Sequence, residues 1–254
     1  SKDLKKIRLK LFFTKIFKLI SQISLIYFLN PVKTRFKEDL KQLNIASVQI
    51  KEGIENSYVD LDLNLNSEAK REYKKVISSF KNLINSNFIW DITSATDVDM
   101  VRERSSASQT YDRKLTSLSL KELPGIKSSF EACCFNNQNG ADIFIYPGFI
   151  IMYNSENNFG IVELKDVEIL FNESNFIESE QRPNDSEVIK YVWEKTNKNG
   201  SRDKRFADNR QLPVMRYGEI TFIKKAGIFE KFLVSNYKYS NQFVNYLNYF
   251  VDSI

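Results

Sequence analysis

The sequence predicts an α+β protein, and three observations carry that prediction. Residues 4–43 place apolar side chains at three- and four-residue spacing, the mark of amphipathic helices. The second half is a succession of short segments of strand character parted by Asn- and Gly-containing turns. The last stretch then returns to helical spacing. The expected architecture is a set of N-terminal helices with a small α/β unit, followed by an antiparallel β unit closed by a C-terminal helix. A chain of 254 residues is comfortable for two compact units, since domains cluster at about 100–150 residues.

Between Leu4 and Leu29 the stripe is Leu9, Phe12, Phe13, Ile16, Leu19, Ile20, Ile23, Ile26 and Tyr27, which leaves Lys10, Lys15 and Lys18 for the wetter side. A second short helix is expected from Pro31 to Leu43, with Pro near its start, where a missing N–H does no harm. Val32, Phe36, Leu40 and Leu43 form its stripe, and residues 1–45 together make a basic amphipathic helical segment. From Val48 to Leu65 the pattern changes to alternation: Val48 and Ile50, then Val59, Leu61, Leu63 and Leu65 on one face of a half-buried strand. Asp60 and Asp62 fall on its other face, where a solvated sheet surface is the simpler reading than a metal pair. Asn66-Ser67-Glu68 reads as a helix start, and Tyr73, Val76, Ile77, Phe80, Leu83 and Ile84 supply the stripe of a helix ending near Asn85. Phe88 to Ile92 is the next strand. This order defines a small α/β unit over residues 46–93, and the polar residues 94–112 read as a linker or loop.

Residues 113–254 read as the antiparallel β domain with its closing helix. Strands are expected at Leu115 to Leu120, Ser128 to Phe135, Asp142 to Tyr153 and Gly160 to Phe171, with turn chemistry at 136–140 and 154–158. After a long polar run come Val214 to Ile223, a turn at Gly227, and Ile228 to Val234. A final helix follows, capped by Ser240, with Phe243, Val244, Leu247, Phe250 and Val251 buried. This layout, together with the phrase Asp142-Ile143-Phe144-Ile145-Tyr146-Pro147-Gly148-Phe149-Ile150-Ile151, resembles the bacterial pleckstrin-homology-like fold over roughly residues 112–254.

Composition narrows the chemistry. The chain has no histidine, so His-dependent triads and His-metal nucleases are excluded, along with the commonest zinc ligand. The two cysteines, Cys133 and Cys134, are adjacent, and neighbours on a strand point to opposite faces. They read as buried free thiols, and a cytoplasmic protein is expected. Residues 1–45 hold eleven Lys and Arg against three acids, an excess of eight, while the whole chain carries +5. The charge-free stretch Leu19 to Val32 covers 14 residues, short of the roughly 20 that span a bilayer. No transmembrane span is expected, and no small-residue cleavage site follows Phe28-Leu29-Asn30 to make a signal peptide. The basic start is compatible with a packed domain helix, a partner-binding or self-association helix, or a helix at an anionic lipid surface, and an electrostatic contribution to nucleic-acid binding stays open.

The densest polar cluster runs from Trp193 to Pro213. Trp193, Asn197-Lys198-Asn199-Gly200, Asp203-Lys204-Arg205-Phe206, Asn209 and Pro213 resemble the signature of a widespread, functionally uncharacterised bacterial family, and Tyr217-Gly218 and Ser235-Asn236 fit its downstream pattern. Ser201 and Arg202 stand where that pattern has a Gly and a Pro. The resemblance implies no catalytic role. Physically, Arg205 and Arg210 offer parallel donors to a phosphate or carboxylate, Asn197 and Asn209 orient the loop, and Phe206 anchors it. Alternatively, Asp203 pairs with an arginine and the Asn side chains satisfy loop backbone, making a self-contained clasp.

The candidate binding residues are therefore Asn197, Lys198, Asp203, Arg205, Phe206, Asn209 and Arg210, with no catalytic residue, metal or cofactor assigned. The expected function is a non-enzymatic interaction or regulatory protein that binds a protein partner. The competing class is a His-independent, metal-dependent nuclease or other effector subunit, acting in defence against mobile DNA. It would have to use carboxylates and a lysine such as Glu178, Glu180, Asp185 and Lys198.

Overall fold

A computed structural model describes residues 10–11, 14, 30–55, 59–61, 63–97, 109–225 and 227–254. Most of the expected first helix lies outside these residues; Lys10, Leu11 and Thr14 are helical. The chain divides into two units, one of Ser1–Asp60 with Pro124–Lys127 and one of Leu61–Leu123 with Ser128–Ile254. This division differs from the expected 46–93 and 113–254 units, because the strand after residue 88 joins a sheet of the larger unit.

In the smaller unit, helix α1 spans Asn30–Glu55. It runs past the expected end at Leu43 and takes in Val48 and Ile50, so the strand expected there is overturned. The reason is visible in burial: Leu40, Leu43, Ala46, Ser47 and Ile50 are half-buried at helical spacing while Ile45 and Val48 are exposed. Until Gly53 nothing breaks the helix, and two alternating apolar residues do not outweigh that stripe. Strand β1 is the short Val59–Leu61, paired with β5 at Ile126–Ser128.

In the larger unit, α2 spans Ser67–Ile84, and the Asn66 side chain caps it by accepting from the Ala69 N–H at 2.8 Å. The strand β2, Ile89–Asp97, runs on through the first residues expected as linker, and β3 follows at Gln109–Leu115. Then come β4 (Leu118–Leu120), β6 (Cys133–Phe135), β7 (Asp142–Tyr146), β8 (Phe149–Ser155) and β9 (Asn158–Glu163). These five form one antiparallel sheet in the order β4-β6-β7-β8-β9. A second antiparallel sheet has the order β10-β12-β13-β2-β3, built with β10 (Glu168–Ile177), β12 (Gln211–Lys224) and β13 (Ile228–Val234). Strand β11, Glu187–Trp193, also pairs with β12.

Helix α3, Tyr237–Ser253, closes the chain. Its cap is Asn236, whose side chain accepts from Tyr239, and not the expected Ser240, which sits inside the helix and donates to the Asn236 carbonyl. The class is α+β with antiparallel sheets. The antiparallel β unit is built as two sheets, and β2, from ahead of the expected domain boundary, lies between β13 and β3.

One large core joins α2, α3 and both sheets. Phe135 of β6 is at its centre, with ring centroids 5.4 Å from Phe80, 5.2 Å from Phe222 and 5.0 Å from Phe232. Because side chains alternate along a strand, the six-stranded sheet buries a second, smaller cluster on its other face: Trp90, Met215, Tyr217 and Leu233. Among the described residues, no helix is long and apolar enough to cross a membrane.

Candidate functional site

The Trp193–Pro213 run is the long loop of the β11–β12 hairpin. Its base is tied by Asn209, which is buried. The Asn209 side chain accepts from the Lys195 N–H at 3.0 Å, donates to the Lys195 carbonyl at 2.7 Å, and donates to the Asp203 carbonyl at 3.3 Å. One amide thus continues the hairpin ladder where the two strands part. Asp203, only 1% exposed, receives the Arg205 backbone N–H and a two-pronged grip from the Arg205 guanidinium at 2.9 and 2.8 Å.

Towards the tip, the Asn197 side chain donates to Ser201 Oγ and to the Arg202 carbonyl. Gly200 closes that turn at φ +79°, a conformation that suits glycine, with its N–H on the Asn197 carbonyl at 2.8 Å. Arg202, in the place where the resemblance expects Pro, lies 5.0 Å over the Trp193 ring and donates to the Ala207 carbonyl.

These contacts correct two expectations. Phe206 is 38% exposed, so it does not anchor the loop in the core. Arg205 and Arg210 do not form a ready anion fork, since Arg205 grips Asp203 and Arg210 donates to Glu194 at 2.9 Å. Asn197, Asp203, Arg205 and Asn209 are brought together as a clasp. Lys198 is exposed at the tip and enters none of the ion pairs among the described residues.

Further residues of the resemblance also have structural tasks. Tyr217 donates its hydroxyl to Glu178 at 2.8 Å. A Cβ on Gly218 would collide with Ser240 of α3, so only glycine allows this helix its approach to β12. Ser235 accepts the Phe88 N–H through its hydroxyl, and Asn236 caps α3. The Pro213 carbonyl accepts from the Glu178 N–H.

Sequence reading missed the partner that completes this group. Arg113 of β3 forks onto Glu178 at 2.9 and 2.7 Å, reaches Glu180 at 3.1 Å, and is sandwiched 4.4 Å from both the Trp90 and Phe176 ring centroids. Burial works against the Glu178 carboxylate, yet the hydrogen bonds from Arg113, Tyr217 and the Glu180 N–H outweigh it and hold its pKa below the ordinary range. No local signal marks this pairing, because its members come from strands far apart in the chain.

Glu178, Glu180 and Asp185 of the nuclease alternative have partners other than Lys198. Glu178 is occupied as described, the Asp185 carboxylate accepts from the Asn87 N–H, and Lys198 is at the loop tip. Among the described residues, no cluster of three or more Cys, Asp and Glu side chains is arranged to hold a metal ion. Cys133 and Cys134 are both buried free thiols, and burial pushes the Cys134 thiol up to about 11, which removes the reactive thiolate at neutral pH.

Beside the loop base, a cleft of about 910 Å³ is lined by Tyr111, Arg113, Phe176, Lys190, Trp193 and Lys195, among others. Each of its acids but Asp112 has an ion-pair partner: Glu173 has Arg216, shared with Glu187, Glu180 has Arg113, shared with Glu178, Glu194 has Arg210 and Glu219 has Lys231. Lys190 and Lys195 take part in none of the ion pairs among the described residues. The architecture and this cleft define an α+β protein with an open polar groove and a self-tied hairpin loop at its rim. No family model matches the chain, and no curated protein or solved structure matches it either.

Proposed function

We propose that this protein is a non-catalytic binding module that recognises a protein partner, in an interaction or regulatory role. The observation that carries this reading is the cleft beside the β11–β12 loop, where four carboxylates are held by the chain's own cations while Lys190 and Lys195 are not. Carboxylates committed to arginine or lysine are poorly placed for acid–base or metal work, whereas a preformed groove with unmatched cations suits recognition. The buried, reduced cysteines support a cytoplasmic setting. The antiparallel strands and closing helix keep the pleckstrin-homology-like reading of residues 112–254 in play as an architectural analogy, with β2 as its departure. Kinship with the uncharacterised bacterial family is likewise proposed on the Trp193–Pro213 residues and on the structural tasks they share with Gly218 and Asn236.

The test is photo-cross-linking in the cells that encode the protein, with a benzophenone side chain at Lys198, the exposed loop tip. A discrete protein adduct is expected. The reading fails if no protein adduct forms, or if the purified chain cleaves DNA in a metal-dependent reaction that Glu180→Gln abolishes.

A further inference from the structure

We propose that the free edge of β11 is a docking strand for an extended acidic segment of the partner protein. This deepens the binding-module reading and rests on it. Strand β11 pairs with β12 along one edge, and among the described residues no strand pairs with its other edge. An edge that no described strand pairs with is a template for strand addition.

Edge strands are usually blunted by proline, by short length or by charge. The protections present here are the charges of Glu187 and Lys190 and the bulge between Val188 and Lys190, which leaves Lys190–Trp193 in regular register with β12. Ile189 and Tyr191 are 40% and 55% exposed, an unusual load of apolar surface for a free edge. A partner strand laid alongside would cover both.

Charge gives the chemistry of the occupant. The two acids that bracket β11 each have a cation partner within the chain, Glu187 in Arg216, which it shares with Glu173, and Glu194 in Arg210, both at 2.9 Å. Lys190 and Lys195 line the cleft and belong to no ion pair among the described residues. The strand and its exit therefore present two lysines that no ion pair among the described residues holds. An incoming strand with carboxylates on one face and β-branched or aromatic residues on the other meets the lysines with the first and Ile189 and Tyr191 with the second. A nucleic-acid strand fits less well, since it brings no backbone N–H and C=O ladder to the edge of β11 and no β-branched side chains to cover Ile189 and Tyr191.

The probe is a random dodecapeptide display library panned on the full chain, followed by fluorescence anisotropy with the enriched peptides. The expected winners alternate acidic with β-branched or aromatic residues. The Lys190→Glu, Lys195→Glu double variant should weaken them by about tenfold or more, the effect of losing roughly 1.4 kcal/mol, while charge-swapped peptides regain binding to it. Circular dichroism of the double variant confirms that it is folded. Ile189→Asp should reduce binding of the same peptides independently. The inference falls if no peptide is enriched, if the winners lack acidic bias, if the double variant binds them unchanged, or if a labelled single-stranded oligonucleotide binds more tightly than any peptide. An adduct from Lys198 that persists in the double variant would sink the docking strand and spare the binding module. Absence of any adduct would sink the module itself.

Discussion

Two polar constellations hold the β11–β12 hairpin, and they differ in reach and in burial. In the loop, Asp203, Arg205 and Asn209 bond among near neighbours, and the Arg205 side chain is 63% exposed. At the sheet, Arg113 grips Glu178 across 65 residues of chain and Tyr217 reaches the same carboxylate across 39. There the Arg113 side chain is only 7% exposed and that of Glu178 fully buried. The first constellation shapes a loop, and the second ties β3 to the chain that follows β10. Their difference separates what a dense polar motif does for the fold from what it leaves for a partner: buried acceptors and amides set geometry, while the exposed cations around them contribute little to stability.

The largest break in this comparison should come from Glu178→Gln. It leaves the buried Arg113 charge with only the exposed Glu180 as its anion, and removing one partner of a buried pair costs about 3–5 kcal/mol, measurable as a lower urea midpoint. A pH series sharpens the point. Because the folded Glu178 pKa is depressed, its contribution is present above the unfolded carboxylate value of about 4.3 and is lost as pH falls through the lower folded value. The wild-type chain should lose this contribution on acidification, and the Gln variant should lack that part of the dependence.

Asn209→Ala is the intermediate case. It deletes the three side-chain bonds that close the loop base and strands the Lys195 N–H, while the Lys195 carbonyl keeps the Asp203 N–H. Leaving buried donors and acceptors unmade costs about 1–3 kcal/mol. Hydrogen exchange at the Lys195 amide should accelerate along with the fall in stability, and an unchanged exchange rate would argue that another group closes the ladder.

The parts of the fold that were legible in the sequence are those whose signals are local. Helices α2 and α3 carry long apolar stripes, and the turns at 136–140 and 154–158 carry their Asn residues. Helix α1 was underextended because Val48 and Ile50 imitate a strand, although the half-buried positions from Leu40 to Ile50 keep helical spacing. Strand β11 is absent from the expected strands, since Lys190 interrupts its apolar alternation and a bulge shifts its register. The signal that could have revealed it is the β-branched and aromatic run Val188-Ile189-Lys190-Tyr191-Val192-Trp193. At the site, the pairing of Asp203 with an arginine and the use of Asn side chains on backbone were legible, because both are short-range. The sandwich of Arg113 between Trp90 and Phe176 was not, because only the folded sheet brings those residues together. The exposure of Phe206 was hidden for a similar reason: an aromatic among polar residues reads as an anchor until the loop's own contacts are known.

The smallest expected effect gives the most direct test of the central claim, that the clasp is carried by Asp203 and Asn209 and not by its outward arginine. The measurement is the unfolding free energy of Arg205→Ala beside Asn209→Ala under identical conditions. Although Asp203 is buried, the Arg205 guanidinium is solvent-screened and Asp203 keeps the residue-205 backbone N–H in the variant, so the Arg205 variant should fold and lose less than the Asn209 variant. An Arg205→Ala chain that fails to fold, or that loses as much as Asn209→Ala or more, would contradict the account.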